Sequence, residues 1–215
     1  MGQMRITVFG ASGAVGSRVV QEALSRDHQV TAVGRNLDRL AYLPPEAVKR
    51  RGDASDPDDV TALSVGQDLV ISATRPVPGS EPELVTAAKG LLAGLAGTGV
   101  RLLVVGGAAG LVIPGTGGTT VLDSPDFPKD WRPIAQACNE QLEAIQATTD
   151  VAWTYLSPPA LLEPGIRTGS YRLGTDELLV DPHGISTISM EDLAVALLDE
   201  AETPTHPNTR YTIAY

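Results

Sequence analysis

The sequence predicts an α/β fold: one domain built on a doubly wound parallel sheet, with a small extra region near the C-terminus. Three observations predict it. Short apolar runs alternate with helical segments along most of the chain, which places helices on both faces of a parallel sheet. A glycine-rich turn, Gly10-Ala11-Ser12-Gly13-Ala14-Val15-Gly16, joins the first apolar run to the first helix. The 215 residues, 42% of them hydrophobic, suit one domain with a sizeable core and leave no room for a second full domain.

The elements follow in order. The first strand is expected over 4–9 and the first helix over 14–26. A second strand covers 29–33, and a short helix near 37–42 stops at Pro44-Pro45. A third, short strand lies near Val48. Ser55-Asp56-Pro57-Asp58-Asp59 reads as a helix start, with proline just inside and acids in the first turn. Strands at 68–72, 100–105 and 151–156 alternate with helices at 82–97 and 131–148. Residues 106–130 form a loop rich in glycine and proline, either a mobile lid or a rigid surface loop. Residues 157–188 hold proline, glycine and a hairpin candidate at Ser170–Val180. A last helix starts at Ser189 with Glu191-Asp192 in its first turn, and a strand ends the chain at 210–214.

Strand, glycine turn, helix is the arrangement that holds a dinucleotide pyrophosphate in a Rossmann-type sheet. Gly10 allows the tight turn, Gly13 the approach of backbone to phosphate, and Gly16 the close packing of helix on strand. The helix N-terminus offers N–H groups of Ala14, Val15 and Gly16 to an anion. Ser12 is read as a phosphate ligand rather than a nucleophile. After the second strand, where an NAD-binding chain carries an acid for the ribose 2′-OH, this one has Gly34-Arg35-Asn36. An arginine fork suits a 2′-phosphate, so NADPH is expected over NADH. Arg39 shares that phosphate if 36–42 is helical; otherwise it is a solvated cation.

Ligands of such sheets lie outside the carboxyl ends of the strands. That rule adds Asp53-Ala54, Ala73-Thr74-Arg75, Gly106-Gly107 and Pro158 to the candidate cofactor site. Asp53 either accepts from the adenine amino group or caps its loop. Ala73 and Thr74 leave room for the nicotinamide ribose, Arg75 meets pyrophosphate or an acidic substrate, and Gly106-Gly107 bring backbone close to the nicotinamide.

The formal net charge is −10. Residues 1–75 hold nine basic and nine acidic side chains, whereas 76–215 hold seven and seventeen, so the proposed cofactor half is neutral. The balance argues against a nucleic-acid or anionic-membrane surface. No apolar run is long enough for a membrane span. The lone Cys138 excludes an intrachain disulfide and reads as a buried, inert thiol. A cytoplasmic monomer or homodimer is expected. His28, His183 and His206 lack metal-site spacing, with His28 expected at the surface.

The turn Gly10–Gly16, Arg35, Gly52-Asp53 and Val104-Val105-Gly106-Gly107-Ala108 resemble the atypical short-chain dehydrogenase/reductases. The resemblance is strongest to the NADH-flavin reductase-like and biliverdin-IXβ-reductase-like subgroup. Trp153–Pro158, Pro164-Gly165, Arg167-Thr168-Gly169, Tyr171–Gly174 and Ile188–Ala194 are similar to it as well. The resemblance implies NADP(H) binding and hydride transfer to a small planar acceptor. Related reductases often carry a serine after the fifth strand and a histidine after the sixth-strand prolines; here Ala108-Ala109-Gly110 and Ala160 stand there.

No tyrosine has a lysine four residues later, so alcohol–ketone chemistry through a tyrosine–lysine pair is not expected. Reduction of a flavin-like or quinone-like acceptor, which takes its proton from solvent, needs no such pair. The alternative is a cofactor-binding redox sensor without turnover. Epimerisation or dehydration of a nucleotide sugar would need the missing tyrosine. The catalytic residues stay unassigned.

Overall fold

The computed structural model describes residues 2–215. Eight strands form one sheet in the order β3-β2-β1-β4-β5-β6-β10-β8. They are β1 (Arg5–Phe9), β2 (Gln29–Gly34), β3 (Val48–Arg51), β4 (Leu69–Ser72), β5 (Arg101–Val105), β6 (Trp153–Ser157), β8 (Arg172–Gly174) and β10 (Thr209–Ala214). All neighbours are parallel except β8, which runs antiparallel to β10. Strands β7 (Leu161–Glu163) and β9 (Thr187–Ser189) form a separate parallel pair.

Alternation along the strands feeds two cores. Ile6, Val8 and Ala32 join Val19, Val20, Leu193 and Leu197 under α1 (Ala14–Ser25) and α5 (Met190–Glu202). Phe9, Val33, Val70 and Leu102 join Leu91, Leu95 and Ile145 under α2 (Pro57–Ser64), α3 (Glu83–Leu95) and α4 (Arg132–Gln146). Helices thus cover both faces, and β1 lies between β2 and β4, where the strand order reverses direction. The crevice this reversal opens is the site of a Rossmann-type fold.

Three expectations change. The helix near 37–42 is one 3-10 turn, Leu37–Leu40, started by the Asn36 side chain accepting from Asp38 N–H. The hairpin at Ser170–Val180 does not form, because both of its arms find better partners elsewhere. Arg172–Gly174 pairs with β10, while Asp176–Leu178 pairs with Val112. Arg210 fixes this arrangement by donating to Asp176 Oδ1 and Gly110 O. His28 is buried, not superficial: Met4 N–H donates to its Nδ1 at 3.2 Å, so Nε2 carries the proton toward Glu202 Oε1 at 3.0 Å.

The 106–130 loop is anchored at its base. Leu111 is fully buried, Val121 N–H donates to Leu111 O, and Leu122 N–H to Ala109 O. Its tip carries three glycines at positive φ, Gly115, Gly117 and Gly118.

The region after β6 is pinned to the α1–α5 face by polar bonds. Glu22 is buried and receives Arg167 (2.8 Å) and Arg26 (2.8 Å). Arg167, and then Arg26, hold the Glu22 carboxyl below its ordinary range despite burial. Asp192 is fully buried and accepts from Thr168 N–H, Gly169 N–H, Thr168 Oγ1 and Tyr215 Oη at 2.6–2.8 Å. Among the described residues no helix is long and apolar enough to cross a membrane.

Candidate cofactor site

The site is built where β1 ends. Gly10 adopts φ +78°, and a Cβ there would lie 2.5 Å from Ala73 O and 2.8 Å from Thr74 N. The glycine turn and the segment after β4 therefore touch backbone to backbone. A Cβ at Gly16 would lie 2.1 Å from Gly10 O, so α1 packs against its own entry turn only without a side chain. Gly13 is the helix N-cap in extended conformation (φ −81°, ψ 168°), and no side chain caps it.

That leaves donors. The first intrahelical bond runs from Ser17 N–H to Gly13 O at 3.0 Å. The N–H groups of Ala14, Val15 and Gly16 then have no acceptor inside the helix. Ala14 is exposed, so the end is open. Helices α2, α3 and α5 carry acids in their first turns, whereas α1 and α4 carry none, and of these two only α1 starts beside the strand-order reversal. An uncapped helix start facing a strand-order reversal fits an anionic pyrophosphate. Ser12 lies in the turn with its carbonyl accepting from Tyr42 Oη at 3.1 Å, which lays the exposed Tyr42 ring beside the crevice.

The remaining candidates collect along the same edge. Arg35 follows β2, and its Nη1 donates to Glu83 Oε2 at 3.1 Å; both side chains are more than half exposed. Arg39 and Arg75 are exposed and have no ion-pair partner among the described residues. Asp53 is engaged in its own loop: Oδ1 accepts from Ser55 N–H (2.9 Å) and Ser55 Oγ (2.7 Å), while Asp53 N–H donates to Asp59 Oδ2. Ala54 O sits 2.4 Å from where a Gly90 Cβ would be, so α3 packs hard on this turn. Thr74 Oγ1 lies 3.2 Å from Ser72 Oγ.

Beyond β5 the structure gives a second reason for glycine. A Cβ at Gly106 would fall 1.9 Å from the Tyr155 ring, and one at Gly107 would fall 2.8 Å from Cys138 Sγ. Tyr155 points inward, donating toward Cys138 O (3.1 Å) and Gln141 Oε1 (3.2 Å), and burial drives its hydroxyl far above the ordinary tyrosine range. It is no proton donor for the crevice. Cys138 is half-buried rather than fully buried, and desolvation still pushes its thiol up to about 11, against the pull of Arg75. Pro158 is buried, whereas Ala160 is exposed. No group of three or more metal-ligating side chains occurs among the described residues.

A family model described as NAD(P)H-binding matches residues 10–204. The chain belongs to this NAD(P)H-binding family. The chain is also similar to the uncharacterized protein YwnB of Bacillus subtilis, 38% identical over 98% of both chains. A solved structure from Streptococcus pneumoniae, provisionally named an NADH-flavin reductase, is 33% identical with a TM-score of 0.84, covering 98% of this chain and 99% of that one. Another, from Bacteroides thetaiotaomicron and provisionally named an epimerase, is 38% identical with a TM-score of 0.90, covering 100% and 98%. The NAD(P)H-binding match includes the glycine turn, Arg35 and the segments after β4, β5 and β6.

Sequence reasoning missed Glu83, which lies 48 residues from Arg35. Ser157 ends β6 fully buried; its carbonyl accepts from Thr212 Oγ1, but its Oγ has no hydrogen-bond partner. A buried hydroxyl without a partner costs about 1–3 kcal/mol. Ser157→Ala is therefore expected to keep cofactor binding and raise stability by up to about 1 kcal/mol. A thermal melt checks this, and a drop in melting temperature would show that the hydroxyl is bonded.

Proposed function

We propose that the protein is an NADPH-dependent reductase of flavin-like, quinone-like or other small planar acceptors. One observation carries the reading: an uncapped helix start and an arginine flank the crevice, yet no tyrosine–lysine pair is available at its edge. The N–H groups of Ala14, Val15 and Gly16, with Ser12, hold the pyrophosphate. Arg35 takes the 2′-phosphate, while Arg39, on a single 3-10 turn, is left as a solvated cation near the rim. Asp53 and Ala54 border the adenine, and Ala73 and Thr74 leave space for the ribose. Gly106, Gly107 and Pro158 form the nicotinamide side, where Arg75 meets the pyrophosphate or an acidic acceptor. Residues 157–188 and the 106–130 loop form the acceptor's side of the crevice.

Reduced nicotinamide supplies a hydride, and the acceptor takes its further proton from water. The chain's part is to bind, align and exclude, which is worth several kcal/mol without an acid or base. The name of the S. pneumoniae structure supports this reading. A nucleotide-sugar epimerase would need a tyrosine poised over the substrate, and Tyr155 is turned into the core instead.

Oxidation of NADPH in the presence of FMN, riboflavin or a quinone, followed at the reduced-nicotinamide absorbance band, tests the proposal. Turnover that depends on the acceptor supports it. Tight NADPH binding with no oxidation by any of these favours the second reading, a redox sensor, which Ala108 and Ala109 also suit because they offer no polar group. For the cofactor, Arg35→Ala is expected to weaken NADPH binding by about 1–3 kcal/mol more than NADH binding, the range for a charge-assisted hydrogen bond. Equal losses for both cofactors would remove Arg35 from 2′-phosphate recognition.

A further inference from the structure

Of the arginines that rim the crevice, Arg39 and Arg75 have no ion pair among the described residues, while Arg35 is held by Glu83 at 3.1 Å. The partner is not local. Arg35 follows β2, and Glu83 opens α3 after the loop leaving β4. Because β2 and β4 flank β1, the pair joins the two lips of the crevice beside the glycine turn. Both groups are exposed, so neither is needed to satisfy a buried charge. The pair contributes little to stability. Glu83 also gains from the positive end of α3, whose N-cap Pro82 supplies no side-chain oxygen.

We propose that Glu83 is a specificity-determining residue that competes with the cofactor's 2′-phosphate for Arg35. The inference rests on Arg35 reading that phosphate. A 2′-phosphate brings nearly two negative charges to the guanidinium. Glu83 must then swing away or stay as a like charge beside it. A ribose with a free 2′-OH makes no such demand and leaves the Arg35–Glu83 pair intact. Glu83 thus lowers the preference for NADPH that Arg35 alone would confer.

The test is calorimetric titration of NADPH and NADH into the wild type, Glu83→Gln and Arg35→Ala, with thermal melts as folding controls. Glu83→Gln keeps the shape and removes the charge. Its NADPH dissociation constant is expected to fall about three- to tenfold, with that of NADH changing less than about twofold. An unchanged or smaller NADPH-to-NADH preference in Glu83→Gln, with Arg35→Ala still costing NADPH more than NADH, overturns the role of Glu83 alone. If Arg35→Ala weakens both cofactors equally, the underlying reading of Arg35 has failed, and the competition falls with it.

Discussion

Gly13→Asp is expected to abolish NADPH binding while leaving the melting temperature unchanged or higher. Gly13 is the N-cap of α1, in the extended conformation that an aspartate N-cap adopts. A Cβ there would lie 3.2 Å from Gly10 O, so that carbonyl must give by a few tenths of an ångström for the side chain to fit. The carboxylate would then accept from the first-turn N–H groups that are otherwise open, which typically stabilises a helix by ~1 kcal/mol. It would also occupy the place of the pyrophosphate with a charge of the same sign, at a cost of several kcal/mol. Each 1.4 kcal/mol is tenfold in affinity, so a loss on the order of 100-fold or more is expected. Calorimetry for binding and a thermal melt for stability separate the two effects. A destabilised protein would show that the turn cannot take the side chain. A stable one that still binds NADPH would show that the phosphates lie elsewhere.

Asp192→Asn is expected to destabilise the fold by about 2–4 kcal/mol, because a buried acceptor with several donors aimed at it becomes an amide with two hydrogens of its own. At this chain length each 1 kcal/mol lowers the melting temperature by roughly 2–4 °C. Residues 164–171 should loosen first, since Thr168 and Gly169 bond to this carboxylate, and hydrogen exchange would report it. The pH dependence has a definite sign. Burial alone would raise the Asp192 pKa, but hydrogen bonds from Thr168, Tyr215 and the Gly169 N–H outweigh it and hold it below the ordinary range. A depressed folded-state pKa contributes stability that is fully present above the unfolded value, about 3.9, and is lost as pH falls through the folded value. The acid limb of the wild-type stability profile should therefore be steeper than that of Asp192→Asn. Equal slopes would mean that the Asp192 carboxyl titrates normally in the fold.

What the sequence revealed and what it hid divide by range. The glycine turn, the strand–helix alternation and the N-cap of α5 are written in neighbouring residues, and the structure has them where the pattern placed them. Tertiary partners are not written there. The polar alternation of Ser170–Val180 reads as a hairpin, but its arms bond to β10 and Val112, which lie 38 or more residues away. His28 looked like a turn residue because its burial depends on Met4 and on Glu202 of α5. Gly106 and Gly107 were recognised as required glycines, yet the atoms that exclude a Cβ belong to Tyr155 and Cys138 of the chain itself. Arg35 was legible as a cation at a chosen position, and its competitor Glu83 was not.

The most direct test of the central claim, that the Gly10–Gly16 turn and Arg35 hold a phosphorylated dinucleotide, is a calorimetric titration of the purified wild-type protein with NADPH and with NADH. Saturable binding of one NADPH per chain, tighter than NADH, is the result this account predicts. Failure of either dinucleotide to bind would contradict it.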